Sequence, residues 1–299
     1  MNLHQLKVFC TVAGEGSFSA AAEKLFMTQP AVTLQIKNLE SYYQVKFFER
    51  TGKKVLLTEE GRVLLTIASQ MLDLNRKAEE VVSDLKGSSR GNVHIAASLS
   101  FIDYYLPPLL LAFHKRFPNI FLQITEGNTT QLIEDTLLHK NDLAFVASRP
   151  VNSKLIVRQF VRDSLVAIIP AKHKLAVRES VTLNELNREP LILREPGSSI
   201  RELVDEAFHK RGMKPFVVMQ SASTAAIKKM VENGAAVGIL SERLVQNEVA
   251  AGLFKAIRFT EVDMMVPFYL IYHKDKYFSR TLKAFVDMAL DFTDSPWVE

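Results

Sequence analysis

Between residues 64 and 85, apolar side chains fall at Leu64, Ile67, Met71, Leu74, Ala78, Val81 and Leu85, alternately three and four residues apart. This heptad seam constrains the chain more than any other feature. Thr58 is a natural cap for the helix that carries it, Glu59 and Glu60 suit its positive end, and the pattern runs to Lys86. The 28 residues from 59 to 86 would span about 42 Å. A helix so long with one narrow apolar stripe is best explained by pairing with a copy of itself. The alternative is an amphipathic helix lying on its own domain, which the extra apolar residues Leu65, Leu72 and Val82 favour. "GSSRG", residues 87–91, reads as the linker that ends it.

Ahead of the seam the periodicity is also helical, in shorter pieces. Leu3, Leu6, Cys10 and Ala13 share the spacing of one helix face, and Gly14 and Gly16 stop that helix. Ser17 is a good N-cap for a second helix, whose Ala20, Ala21, Ala22 and Leu25 give a small-residue face for close packing. Thr28 caps a third, with Pro30 in its first turn where the missing N–H costs nothing. Val32, Ile36 and Leu39 point inward there, leaving Gln29, Thr33, Gln35 and Lys37 outward. Helix, tight turn and helix with a polar face is the arrangement whose second helix enters a DNA major groove. Gln and Thr bond base edges and Lys meets phosphate. On periodicity alone, a helical hairpin with a solvated face stands as the alternative.

"FFERTGKKVLLT" follows, two β-prone runs around Thr51-Gly52-Lys53-Lys54. The hairpin would carry Arg50, Lys53 and Lys54 near its tip, where a wing grips the phosphate backbone. In isolation it would be a plain surface turn; after a helix-turn-helix it reads as a wing. The charge agrees: residues 1–58 hold seven bases and four acids, so +3 of the chain's net +4 lies there.

Beyond residue 91 short β runs alternate with helical stretches, which predicts α/β architecture with parallel sheets and helices on both faces. "VHIAAS" leads to a helix near 101–116, "IFLQITEG" to one near 129–139, and "LAFVAS" closes the third unit. "LVAIIPA", "PLILR", "FVVMQ", "VGILS" and "PFYLIYHK" continue the series. About 200 residues of this pattern make two lobes, and open α/β sheets bind ligands beyond the carboxyl ends of their strands. Three such ends carry small polar residues: Ser98 and Ser100, on either side of Leu99; Asn128 and Thr129; Ser198 and Ser199, with Arg201 close by. Each alone is ordinarily just an N-cap. Together they suggest a cleft for a small polar or anionic metabolite.

No apolar run approaches the roughly 18 residues that cross a bilayer, and "KVFCTVAG" lacks the cleavage site of a secretory signal, so the expected location is the cytoplasm. Cys10 has no second thiol to pair with, and the seven histidines (4, 94, 114, 139, 173, 209, 273) show no metal-ligand spacing. With no G-x-S-x-G, H-E-x-x-H or Walker sequence, no enzyme activity, metal or cofactor is expected beyond a small-molecule effector of unknown identity.

The stretch "LHQLKVFCTVAGEGSFSAAAEKLFMTQPAVTLQIKNLESYYQVKFFERTGKKVLLTEEG" resembles the N-terminal signature of LysR-type transcriptional regulators throughout, and the resemblance extends more weakly along the whole chain. It implies an α/β protein with an N-terminal all-α winged helix-turn-helix (1–58), a dimerising linker helix (59–86) and a hinge (87–91). An effector domain of two Rossmann-like lobes would follow (92–299), similar to type 2 periplasmic binding proteins. Lobe 1 would take about 92–162 and 265–299, lobe 2 about 163–264. By matching position, Ser19, Thr28, Gln29, Pro30, Ala31, Thr33 and Gln35 would face double-stranded promoter DNA, with Arg50 and Lys53 on the wing; Lys37 and Lys54 join them on the outward face and the hairpin tip read above. Ser98, Leu99, Ser100, Asn128, Thr129, Ser198, Ser199 and Arg201 would bind the effector. The implied partners are DNA, the effector, RNA polymerase and further copies of the chain in a homodimer or homotetramer. Two departures stand out: the wing turn carries paired lysines, and "REPGSS" resembles only loosely the branch that regulates carbon and sulfur assimilation. Solute-binding proteins and enzymes acting on small acids share such a cleft. Against them stand the missing signal peptide, the first 90 residues and the absence of a nucleophile motif.

Overall fold

The structure is a computed structural model, and it describes residues 1–51, 54–85 and 91–292. They divide into two compact units, an N-terminal one and an α/β one. Among the described residues no helix is long and apolar enough to cross a membrane.

The N-terminal unit contains α1 (Leu3–Glu15), α2 (Phe18–Lys24), α3 (Gln29–Tyr43), β1 (Phe48–Thr51), β2 (Lys54–Leu57) and α4 (Glu59–Leu85). Local signals set its breaks. Asn2 and Gln5 form a capping box at the start of α1, and Gly16 ends that helix in the left-handed region at φ 60°. Ser17 caps α2, and Thr28 caps α3 with Pro30 in the first turn. Leu6, Phe9, Val12, Ala21, Ala22, Val32, Ile36, Leu39, Phe47 and Ala68 form the core. Here α1 departs from the stripe its spacing suggests. Its buried face runs through Leu6, Val8, Phe9 and Val12, whereas Leu3 is exposed and Cys10 half-buried. Both stripes share Leu6 and helical spacing; the larger Phe9 and Val12 win the core because they bury more apolar surface. Burial pushes the Cys10 thiol up to about 11, so it is a weak nucleophile at neutral pH.

Helix α4 has two apolar faces. Buried Ala68, with Leu64, Leu65 and Leu72, packs on this core. Gly61 lies so near the Phe47 carbonyl that a Cβ would come within 2.2 Å of its oxygen. Lys86 and residues 87–90 of the expected hinge lie outside the described residues.

The α/β unit runs β3 (Asn92–Ser98), α5 (Leu99–Tyr104), α6 (Leu106–Arg116), β4 (Phe121–Gly127), α7 (Thr129–Leu137), β5 (Leu143–Val146) and β6 (Leu155–Pro170). It continues through β7 (Ser180–Val181), α8 (Leu183–Leu186), β8 (Leu191–Arg194), α9 (Ser199–His209), β9 (Val217–Ser221), α10 (Thr224–Glu232) and β10 (Val237–Ser241). Last come α11 (Gln246–Ala250), β11 (Phe254–Phe259), β12 (Met265–His273) and α12 (Arg280–Phe292). The single helix expected near 101–116 is two helices, α5 and α6, broken at Tyr105 ahead of Pro107 and Pro108, which fit only a first turn.

The strand order is β4-β3-β5-β12-β6-β10-β8-β9, with β11 beside β6 and β7 beside β11. Strand β6 belongs to both lobes. Leu155 to Ser164 pair with β12, whereas Leu165 onward pairs with β10 and β11. The sheet is therefore mixed, not wholly parallel as the alternation suggested. β3, β4 and β5 run parallel in lobe 1, as do β8, β9 and β10 in lobe 2; β6 and β12 are antiparallel to their neighbours, and β11 is antiparallel to β6 but parallel to β7. The cause is connectivity: the chain crosses once between lobes on β6 and returns on β12. Beneath α5, Phe101 stacks on Phe145 with centroids 4.2 Å apart and meets Phe160 and Phe268, an aromatic cluster that fixes the helix start at Ser98.

Candidate functional site

On α3, residues 100° apart sort into two faces. Val32, Ile36 and Leu39 are buried. Opposite them lie exposed Pro30, Leu34 and Lys37, flanked by Gln29 and Thr33 on one side and Ala31 and Gln35 on the other. Gln29 Nε2 donates to Thr33 Oγ1 at 2.9 Å, which holds both side chains on one flank. Ser19 on α2 and the cap Thr28 are exposed as well. Leu34, absent from the expected set, is 56% exposed at the centre of this face. An apolar side chain there suits thymine methyl groups.

The hairpin forms as expected, with Thr51 opposite Lys54 and Arg50 opposite Val55. Lys53 and the side chains of Arg50 and Lys54 lie outside the described residues. What anchors the hairpin is a residue that sequence reasoning missed. The buried Glu40 of α3 accepts from the Phe47 amide at 2.9 Å and the Phe48 amide at 3.4 Å, and pairs with Lys46 at 2.8 Å. It ties the root of the wing to the helix that carries the polar face.

Along α4 the side away from the core exposes Val63, Ile67, Met71, Leu74 and Val82. Of the seam residues, Ile67, Met71, Leu74 and Ala78 are exposed, and Leu64 and Val81 half-buried; the Leu85 side chain lies outside the described residues. A row of exposed apolar residues at heptad spacing calls for a partner helix.

In the α/β unit the strand ends converge. One cleft is lined by Ser98, Leu99, Ser100, Asn128, Thr129, Ser198 and Ser199 from the expected set, together with Gly127, Ala147, Arg194, Glu195 and Ile200. Its two walls come from different lobes, and Ser199 Oγ donates to Thr129 Oγ1 across it at 3.0 Å. The Ala147 amide also donates to Thr129, at 3.3 Å. The enclosed space is about 10 Å³, room for roughly one water.

The expected residues serve differently. Asn128 is occupied as the cap of α7, its Oδ1 accepting from the Gln131 amide at 2.9 Å. Ser98 and Ser198 precede α5 and α9 but make no side-chain capping bond, so the first amides of the 11-residue α9 stay unfilled by Ser198. Ser98 Oγ, on a residue only 6% exposed, has no hydrogen-bond partner. Such a group is costly to bury unless something occupies the space it faces.

Arg201 is not among the residues lining this small space; its guanidinium bonds Asp205 at 2.8 Å and the Arg194 carbonyl at 3.0 Å. The basic residue of the cleft is Arg194, whose Nε and Nη2 donate to the two carboxylate oxygens of Glu195 at 2.9 and 3.1 Å. The sequence signal exists, since Arg194 and Glu195 stand at the carboxyl end of "PLILR", where the strand-end rule already points.

Where β6 changes lobes, buried Asp163 accepts from Ser241 Oγ of β10. Burial pushes the Asp163 carboxyl above the ordinary aspartate range, against the lowering effects of Ser241 and Arg243. Among the described residues no cluster of His, Cys, Asp or Glu could hold a metal ion.

Comparison with known proteins covers both units. Residues 3–62 match the family description "Bacterial regulatory helix-turn-helix protein, lysR family", and residues 86–294 match "LysR substrate binding domain". The chain is 34% identical over 285 residues to the HTH-type transcriptional activator CmpR of Synechocystis sp., covering 95% of this chain and 93% of that protein. It is 31% identical over 290 residues to a RuBisCO operon transcriptional regulator of Allochromatium vinosum, covering 97% and 96%. Among solved structures, full-length OxyR from Pseudomonas aeruginosa superposes with a TM-score of 0.72 at 22% identity, over 100% of this chain and 96% of that one. CbnR in complex with its target DNA gives 0.67 at 24%, over 98% and 100%. At these identities the two structures speak for the fold.

Proposed function

The chain belongs to the LysR family of DNA-binding transcriptional regulators, and on that premise we propose that it is switched by a small anion, a carboxylate or oxyanion, held in the cleft between its two α/β lobes. The observation that carries this reading is Ser98 Oγ, buried and unpartnered beside the uncapped start of α9 and the guanidinium of Arg194. Hydroxyl, free amides and guanidinium are all donors, and only an acceptor-rich ligand satisfies them together.

The present cleft has room for about one water, so a metabolite enters only by parting Thr129 from Ser199 and moving the lobes. A ligand that binds the parted and joined arrangements unequally shifts their populations. That shift is the signal. Through the exposed row on α4 the chain pairs with a second copy, as a homodimer or as a homotetramer of two such pairs. The polar face of α3 enters successive major grooves, and the lobe arrangement alters how the pair holds and bends promoter DNA. The protein acts in the cytoplasm by binding and without turnover, with RNA polymerase as a further partner. The relatives, all named as regulators, support this reading over a solute carrier or an enzyme acting on a small acid.

The test is a thermal-shift series on the full chain with sulfate, phosphate and small mono- and dicarboxylates, repeated on Ser98→Ala with Ser100→Ala. The expected result is a stabilising anion whose effect disappears in the double variant. An anion that stabilises both proteins equally would place its site elsewhere and refute the reading.

A further inference from the structure

The cleft already contains an anion of its own. Of the described residues that line it, Arg194 is the one cation and Glu195 the one acid. They are consecutive, yet they form the two-pronged pairing by which a guanidinium takes a carboxylate. Neighbours within a strand point to opposite faces. The pairing exists because Glu195 lies just past the end of β8, in a turn closed by the Ser198 amide on the Glu195 carbonyl at 3.2 Å, with Gly197 in the left-handed region at φ 84°.

This pair is not needed to hold the backbone. The Arg194 carbonyl is fixed separately by Arg201, itself held by Asp205. The Arg194 side chain is 5% exposed and that of Glu195 23%, so the arginine is fixed inside while the carboxylate has a route to water. An unpaired buried guanidinium is strongly unfavourable, and Glu195 relieves that cost while no ligand is bound.

Resting on the anion reading above, we propose that Glu195 is a built-in competitor for the effector: its carboxylate occupies the fork of Arg194 until the ligand's anionic group displaces it into solvent. Two consequences follow. The exchange sets the ligand concentration at which the regulator responds, because every binding event displaces an equivalent internal bond. It also sets specificity, because an anion with two oxygens replaces both prongs and a monatomic anion replaces one. The effector therefore carries a carboxylate, sulfate or phosphate group, and halides are rejected.

The experiment is calorimetric titration of the full chain and of Glu195→Gln with sodium sulfate, inorganic phosphate, acetate and chloride at constant ionic strength. Glutamine keeps the size and loses the charge. The expected result is that at least one oxyanion binds the variant about ten-fold tighter than it binds the wild type, while chloride is unchanged. Equal or weaker oxyanion binding by Glu195→Gln, with wild-type binding intact and sensitive to Ser98→Ala, overturns the competitor role and leaves the anion site standing. Failure of every oxyanion to bind either protein overturns both. Should Glu195→Gln fail to fold, Glu195→Asp, whose shorter arm reaches one prong, is expected to show a smaller gain in the same direction, and absence of that gain counts against the proposal. Arg194→Lys, which keeps the charge but not the fork, is expected to lose the preference for oxyanions over chloride; an unchanged preference refutes it.

Discussion

Replacing Glu40 by alanine tests whether one buried carboxylate sets the hairpin against the helix that carries the exposed polar face. The Phe47 amide, on a residue 6% exposed, loses its acceptor at 2.9 Å. Leaving a buried donor unpaired costs about 1–3 kcal/mol. The Phe48 bond, at 3.4 Å, is long and adds little. Lys46 is 76% exposed, so its ion pair with Glu40 is screened and contributes about 0–1 kcal/mol. Glu40→Ala should therefore destabilise the N-terminal unit by about 1–4 kcal/mol. Glu40→Gln, which keeps an acceptor for the amide and loses only the ion pair, should cost about 1 kcal/mol or less. Urea titration of the full chain gives the stabilities, and hydrogen exchange at the Phe47 and Phe48 amides shows whether the loss is local. On the reading that the hairpin grips phosphates as a wing, freeing its root loosens that grip. The plot of log binding constant against log salt should flatten by about 0.9 for each phosphate the wing releases. If the two variants are equally stable, or if Phe47 exchanges no faster in Glu40→Ala, the carboxylate is not the anchor and the reasoning fails.

Three further perturbations address two other surfaces and one buried acid. Gln29→Ala with Thr33→Ala should weaken binding to the cognate promoter by about 1–3 kcal/mol for each base no longer read, while leaving random DNA unaffected; fluorescence anisotropy on both duplexes at one salt concentration decides it, and an equal loss on both would mean these residues touch only the backbone. Leu74→Glu places a charge in the exposed row of α4 and should shift the chain to monomer in sedimentation velocity, whereas an unchanged mass would leave that row without a pairing role. Asp163 holds its proton more tightly in the folded chain than in the unfolded one, chiefly because it is buried. Stability should therefore fall as pH rises from about 3.9, the unfolded value, through the raised native one. Asp163→Asn should remove that fall and stabilise the protein at neutral pH. A variant that keeps the wild-type slope of unfolding midpoint against pH would sink the assignment.

How far these features are legible depends on the range of the interactions behind them. Gly16, Ser17, Thr28 and Pro30 act within a turn of their own position, and each marks a helix boundary from the sequence. Helix α1 reads out of phase because Leu3-Leu6-Cys10-Ala13 and Leu6-Phe9-Val12 are both helical stripes; which one is buried depends on where the other helices lie. Strand β6 does not show as one 16-residue element because Arg158, Gln159, Arg162 and Asp163 interrupt its apolar pattern as it changes partners between lobes. No local period encodes a change of partner. Glu40 looks like one more surface acid because its amide partners lie seven and eight residues on, beyond the reach of helical spacing. The cleft divides along the same line. The strand-end rule is local and points to Ser98, Thr129 and Ser199, which the fold brings together. It is silent on which arginine points inward. Yet Asp205 stands four residues after Arg201 in α9, the spacing at which a helix pairs opposite charges. Arg201 is thus engaged along its own helix, whereas Arg194, at the end of β8, finds its acid in the next residue, Glu195, just past the strand and itself in the cleft lining. A basic residue near a predicted site is better judged first by the partner its own secondary structure supplies than by its distance from the site along the chain.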